Sequence, residues 1–338
     1  MKKIIFIAIL LAAVLLSGFA VPNDVIYSEG DATVKYQEGY ADDVFIGDVY
    51  DTGDTVTTGF DGFVELDQAG LVLKINPDTV FTLQEKEEQG KKTGVFSLAL
   101  GSIKFRYDRI TGKEPMIQTA SCVAGVRGTE FSVYAGADGS ALIVVDSGLV
   151  EVESEGKAVQ LTAEEGVEVQ PGEPPGEKFV VQRDQIDYRK WNEEKLQTMT
   201  DDPVLAVERI SYRLDFYIKQ VNEFNELFEE YYAELQQERT KTDEIFEKEG
   251  KEAARAYTQD VLGPLTSKTA ALFLNRRYYA LAALSLRRYV GGRLYLLIKS
   301  QYIAYPQNEK FKTFRTKHQE LLERFESSIS PQLVEADI

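Results

Sequence analysis

The sequence predicts a two-part chain, an all-β half followed by an antiparallel helical bundle, and three observations carry that prediction. Apolar residues alternate one by one from Val25 to about Val181, the period of half-buried strands. Beyond about residue 182 they recur three and four apart, the period of a helix. A chain of 338 residues with 43% hydrophobic side chains is also long enough to bury two ordinary cores. The expected divisions are a targeting segment over 1–20, a β domain over 21–182 and a helical bundle over 183–338.

Lys2 and Lys3 precede an unbroken apolar run from Ile4 to Leu16, and Gly18-Phe19-Ala20 sets small residues ahead of a cut. This predicts a secretory signal peptide and an extracytoplasmic, periplasmic or secreted chain. The run of 13 residues is short for a membrane helix, although adding Ser17 to Val21 leaves an uncleaved anchor open. No cysteine follows the small residues, which excludes lipid attachment there.

Alternation is clear in Phe63-Val64-Glu65-Leu66, Leu71-Val72-Leu73-Lys74-Ile75 and Leu149-Val150-Glu151-Val152. Turn residues such as Gly53-Asp54, Asn76-Pro77-Asp78 and Asp138-Gly139 separate such runs, giving many short strands in a β-sandwich or a β-solenoid-like domain. Leu100-Gly101-Ser102 and Ser147-Gly148-Leu149 echo each other, each placing a glycine at a corner before a strand, with no fixed period between copies.

Pro171-Gly172-Glu173-Pro174-Pro175-Gly176 reads as a stiff linker, and a short helix around Asp184 to Met199 carries the only tryptophan, Trp191. Next, Val207, Ile210, Leu214, Tyr217, Val221, Phe224, Phe228, Tyr231 and Leu235 form the seam of a coiled coil with heptad spacing. Asp202 and Pro203 supply its cap and first turn. A break at Gly263-Pro264 is expected before a helix from Leu265 to about Tyr305, interrupted near Gly291-Gly292. Pro306 then introduces a third helix from Asn308 to about Ile329.

The formal charge of −17 repels phosphate backbones, so nucleic acid is excluded as a partner. Residues 21–182 hold 12 basic and 29 acidic side chains. Residues 184–262 hold 11 basic and 20 acidic ones, and 264–305 hold 7 basic and no acidic ones. The acidic and basic helices are expected to pair across a hairpin, with Arg276, Arg277, Arg287 and Arg288 alternatively offering an anionic-lipid or glycan surface. One cysteine, Cys122, and one histidine, His318, exclude an intramolecular disulfide, a Cys/His zinc cage and a serine-histidine triad. Cys122 is expected buried and inert, and His318 falls on the apolar stripe Phe311, Phe314, Leu321, Phe325. Asp42, Asp43, Asp48, Asp51, Asp54 and Asp61 lack EF-hand spacing and are assigned to solvated turns. No cofactor is implied.

Gly125-Val126-Arg127-Gly128-Thr129-Glu130-Phe131 stands apart. The two glycines suit a turn with positive φ or close backbone approach, Glu130 is a carboxylate within reach of Arg127, and Phe131 opens an inward-facing strand. This run resembles the signature of the FecR domain family. The likeness extends to Gly53-Asp54 with Val56-Thr57-Thr58, to Asn76, Thr79 and Leu83, to Leu100-Gly101-Ser102-Ile103, and to Gly148 through Val152, about 40–172 in all. It implies an extracytoplasmic β-rich module used in sensing, binding or envelope organisation. The namesake's cytoplasmic anti-sigma segment has no counterpart in the three residues ahead of the apolar run. The signature residues are expected to be structural and not catalytic.

Three functions follow for comparison. The first is a non-catalytic envelope protein that binds a protein or glycan, meeting membranes only through an uncleaved signal or weakly through the basic helix. The second is a coiled-coil stalk capped by the β domain, and the third a secreted carboxylate-dependent hydrolase.

Overall fold

The computed structural model describes residues 23–88, 90–107, 115–126, 130–182 and 185–334. The expected targeting segment, 1–20, lies outside these. Strands come first and helices follow.

The strands form one hydrogen-bonded network folded into two layers. The first layer runs β4 (Val49–Tyr50), β1 (Asn23–Glu29), β6 (Phe63–Gln68), β7 (Leu71–Ile75), β9 (Lys91–Tyr107), β12 (Glu130–Ala135), β13 (Ala141–Ser147), β16 (Glu165–Val169), β17 (Phe179–Val180). The second runs β3 (Ala41–Asp43), β2 (Ala32–Lys35), β5 (Thr55–Thr58), β8 (Val80–Glu88), β9 again, β10 (Met116–Gln118), β11 (Val123–Val126), β14 (Leu149–Ser154), β15 (Lys157–Thr162). Long β9 serves both layers, pairing with β8 up to Leu100 and with β7 and β12 from Gly101.

Of the two β architectures the sequence leaves open, the sandwich is the one formed. All these ladders are antiparallel except β9–β10, whereas a solenoid stacks parallel coils. The echo of glycines marks corners at which the chain changes layer. Gly101 (φ 98°) bends β9 from one sheet into the other, and Gly148 (φ 92°) carries β13 of the first layer into β14 of the second. Between the layers Phe81, Phe96, Phe105 and Phe131 form an aromatic chain with successive centroid separations of 5.5, 6.0 and 4.9 Å. Such alternating inner side chains are what the period of two in the sequence buries.

The helices are α1 (Tyr188–Asp201), α2 (Pro203–Glu249), α3 (Lys251–Tyr257), α4 (Gly263–Ser285), α5 (Gly292–Gln301), α6 (Glu309–Ser328) and α7 (Ser330–Val334). Asp202 caps α2 by accepting from Leu205 N at 3.2 Å, and Asn308 caps α6 by accepting from Lys310 N at 2.9 Å. With 47 residues α2 is about 70 Å long. The break expected at Gly263-Pro264 falls instead at Gly250 (φ 89°). A wider π turn over Thr258–Leu262 makes room for the Pro264 ring and absorbs its missing N–H, so helical backbone continues through it. A second π turn, Leu286–Gly291, occupies the expected interruption near Gly291-Gly292.

The seam residues Val207, Ile210, Leu214, Tyr217 and Val221 are buried within the chain against Ala283, Leu286, Val290, Phe314 and Phe325. His318 lies in this cluster, its Nε2 3.2 Å from Gly291 O and its ring 4.7 Å from that of Tyr295. Burial holds its imidazole below the usual value of 6.5. Because the unfolded chain takes up this proton more readily, the contribution is present above about pH 6.5 and lost as pH falls below it. Urea unfolding from about pH 7.5 down to 5 is therefore expected to show falling stability, with a smaller fall in His318→Gln.

The two halves pack against each other. The outer face of β12 and β13 presents Tyr134, Leu142 and Val144 to Tyr188 and Trp191 of α1. Leu100, Ala120 and Ala137 of the β half join the helical core. Polar ties reinforce this: Asn192 Oδ1 accepts from Ala137 N (2.8 Å), Arg209 Nη2 donates to Glu173 (2.7 Å), and the Asn275 amide spans Glu87 N (2.7 Å) and O (2.6 Å). The proline-rich linker lies against the body, with Gly176 N donating to Glu168 O at 3.0 Å.

The contact between the acidic and basic helices includes an amide hydrogen bond and cation–π contacts. Arg276 is buried, 2% exposed, with Nη1 donating to Asn225 Oδ1 at 2.6 Å and its guanidinium 4.6 Å from the Phe228 ring. Lys268 lies 3.7 Å over the Tyr231 ring, and the carboxylate facing Arg287 is Glu326 of α6 (2.9 Å).

Candidate functional site

The signature segment is only partly described. Arg127, Gly128 and Thr129 lie outside the described residues, and with them the expected clasp between Arg127 and Glu130. Glu130 forms an ion pair with Lys104. Phe131 is fully buried, stacked on Phe105 with its plane tilted by 8°. Gly125 differs from expectation: it sits in β11 without positive φ, and no atom of the described residues lies within 4 Å of the place its Cβ would take. The tight corners fall elsewhere in the β half, at Gly101 and Gly62. Arg276, for which a surface contact was the alternative to pairing with the acidic helix, is removed from the surface by burial, while Arg277 and Arg287 are half-buried and Arg288 is exposed.

A cleft of about 460 Å³ opens where the second sheet meets α2 and α4. Gln118 of β10 and Val123 of β11 form its floor, Arg213, Phe216 and Tyr217 of α2 one wall, and Tyr278 and Tyr279 of α4 the other. Alternation on the strands points these floor residues away from the sandwich core, and helical spacing turns 213, 216 and 217 to one side of α2.

Arg213 organises the cleft. Its Nε donates to Ala120 O at 2.8 Å, Nη1 lies 3.5 Å from Glu155 Oε1, and the guanidinium sits 4.7 Å from the Phe216 ring and 4.9 Å from that of Tyr217. Burial works against its charge, and Tyr217 and Glu155 beside it more than offset that, holding the group above its ordinary pKa. Tyr212 OH also donates to Glu155, at 3.0 Å. Gln118 is 2% exposed, and its Oε1 has no hydrogen-bond partner among the described residues. A buried amide oxygen left unmatched is costly.

This chemistry suits recognition. Cys122 is buried beneath the cleft's strands, and burial pushes its thiol up to about 11, so it is a poor nucleophile. Ellman's reagent at about pH 8 is expected to leave it unmodified until the chain is unfolded in urea. Among the described residues no group of three His, Cys, Asp or Glu side chains is placed to hold a metal. The aspartates of the turns bind backbone: Asp54 accepts from Asp51 N (2.9 Å) and Gln37 N (3.0 Å), and Asp48 from Phe45 N (2.9 Å).

With the sandwich, its glycine corners and the start of the signature strand in place, comparison with known families decides what this part is. Residues 54–151 match the family described as FecR protein. The β half carries a FecR domain. Its match contains the cleft floor, Gln118 and Val123, while the walls come from helices outside it. Two crystal structures of a proposed anti-sigma factor from Parabacteroides distasonis show similarity. One has a TM-score of 0.33 at 19% identity over 42% of this chain and 64% of that one. The other has 0.32 at 20% over 40% and 62%. This chain thus spans less than two thirds of either. No curated protein matches it.

Phe216, Tyr279, Arg213 and Gln118 were not singled out by sequence. A signal existed for Phe216, an aromatic residue beside the seam position Tyr217 and at helical spacing from Tyr212 and Arg213.

Proposed function

We propose that this chain is a non-catalytic, extracytoplasmic sensing protein in which the FecR domain and the helices together bind a protein partner in the cleft. The observation that carries this reading is the cleft's construction, with a floor from the FecR domain and aromatic and arginine walls from α2 and α4. Aromatic and arginine side chains around a partly desolvated pocket are the groups that dominate binding energy at protein interfaces. The stalk reading needs an exposed seam, and the first half of that seam is already covered by α4 and α6. The hydrolase reading has two carboxylates at the cleft, Glu153 and Glu155, but the oxygens of Glu155 serve Tyr212 and Arg213.

The test uses the mature chain as bait in a cell-envelope extract, beside Phe216→Ala, whose side chain is already partly in solvent. A polypeptide retained by the native chain and lost about tenfold or more by the variant, at unchanged melting temperature, is expected. Equal retention by both, or retention of polysaccharide alone, would contradict the protein-partner reading.

A further inference from the structure

We infer that the outer face of α5, with the turn that follows it, docks on an anionic phospholipid surface, a contact separate from the cleft and from the proposed partner. The stretch 264–305 contains seven cations and no acid, and the helical register sorts its second half into two faces. Leu286, Val290, Leu294 and Ile298 are buried against the bundle. On the opposite arc Arg288, Arg293, Leu296 and Lys299 are exposed.

The exposed set is unusual in mixing cations with large apolar groups. Leu296 is 68% exposed, Ile303 78% and Tyr305 72%, higher than most apolar side chains of this chain. Among the described residues Arg288, Arg293 and Lys299 have no ion-pair partner. The carboxylate of Glu309, beyond the turn, is taken by Lys312 at 2.8 Å.

The display is also prearranged. Tyr302 N donates to Ile298 O (3.1 Å), Tyr305 N to Tyr302 O (2.9 Å), and the Tyr302 ring stacks on Phe311 at 5.4 Å. Docking therefore orders little new backbone. Aliphatic and aromatic side chains that enter the headgroup boundary, ringed by cations attracted to its negative potential, are what an interfacial helix presents. A protein interface core is instead depleted in lysine. Charge complementarity thus favours lipid as the occupant, even though the chain carries −17 overall, because the acid excess lies in residues 21–182 and 184–262, outside this stretch, and exposed charges are screened beyond about 8 Å at physiological salt.

The experiment is sedimentation of the mature chain, without its apolar leader, with vesicles of phosphatidylcholine alone or with about 30% phosphatidylglycerol. Binding to the anionic vesicles only, weakened by salt, is expected. Leu296→Glu with Ile303→Glu should reduce it about tenfold or more, and Arg293→Gln with Lys299→Gln should reduce it and flatten the salt dependence, all at unchanged melting temperature. Phe216→Ala should bind vesicles like the native chain, which separates this contact from the cleft. The inference is overturned by no sedimentation with either vesicle, by equal binding to both, or by native-like binding of the Leu296 and Ile303 variant. It is also overturned if velocity sedimentation shows a dimer that this variant dissociates while vesicles bind nothing, since a second copy would then be the occupant.

Discussion

Gly101→Ala is expected to cost about 4 kcal/mol or more of folding stability. Gly101 holds φ at 98°, a region side chains rarely adopt, and its Cβ would fall 2.2 Å from Thr79 Oγ1 and 2.4 Å from Thr79 Cα. Thr79 has nowhere to retreat. It is fully buried, its Oγ1 accepts from Ser102 N at 3.0 Å, and its own N–H donates to Thr58 Oγ1 at 3.0 Å. The corner that passes β9 between layers is thus fixed on both sides. Gly156→Ala is the control: φ is 69°, but nothing lies within 4 Å, so a loss of about 1 kcal/mol is expected from conformation alone. Urea denaturation of both variants checks the contrast, and similar losses would show that the close approach to Thr79 matters little.

Arg213→Ala should be the next most damaging change, at about 3 kcal/mol. The side chain is 7% exposed, and removing it leaves Ala120 O without its donor and opens space between the Phe216 and Tyr217 rings. Arg213→Lys is expected to recover less than half of the loss, because an ammonium cannot donate to Ala120 O while lying flat on two rings. Full recovery by lysine in thermal unfolding would reduce the role of Arg213 to its charge.

The local rules were legible in the sequence where one element's own residues decide them. Asp202 and Asn308 cap the helices they precede, and the alternation from Phe63 to Ile75 gives a hairpin turned by Ala69 and Gly70, both with positive φ. The misplaced helix break had a local cause too: a glycine and proline together signal a stop, yet a π turn five residues long cancels the signal at Gly263-Pro264. What was not legible depends on partners far along the chain. Asn275 meets Glu87 across 188 residues and Arg213 meets Ala120 across 93, and no periodicity records either. The cleft is made of such pairings. Arg276 shows the same limit, since a cation in a basic stretch looks exposed until Asn225 and the ring of Phe228 are seen to receive it. The sandwich was left open against a solenoid because the two glycine corners are alike in sequence, and only strand direction separates the two architectures.

The account rests on the helices and the FecR domain forming one body with the cleft at their seam. Differential scanning calorimetry of residues 21–338 tests this most directly. One transition is predicted, with equal calorimetric and van't Hoff enthalpies, shifted downward as a whole by Arg213→Ala. Two separable transitions, only one of them moved by that substitution, would contradict it and return the helices to the status of an independent bundle.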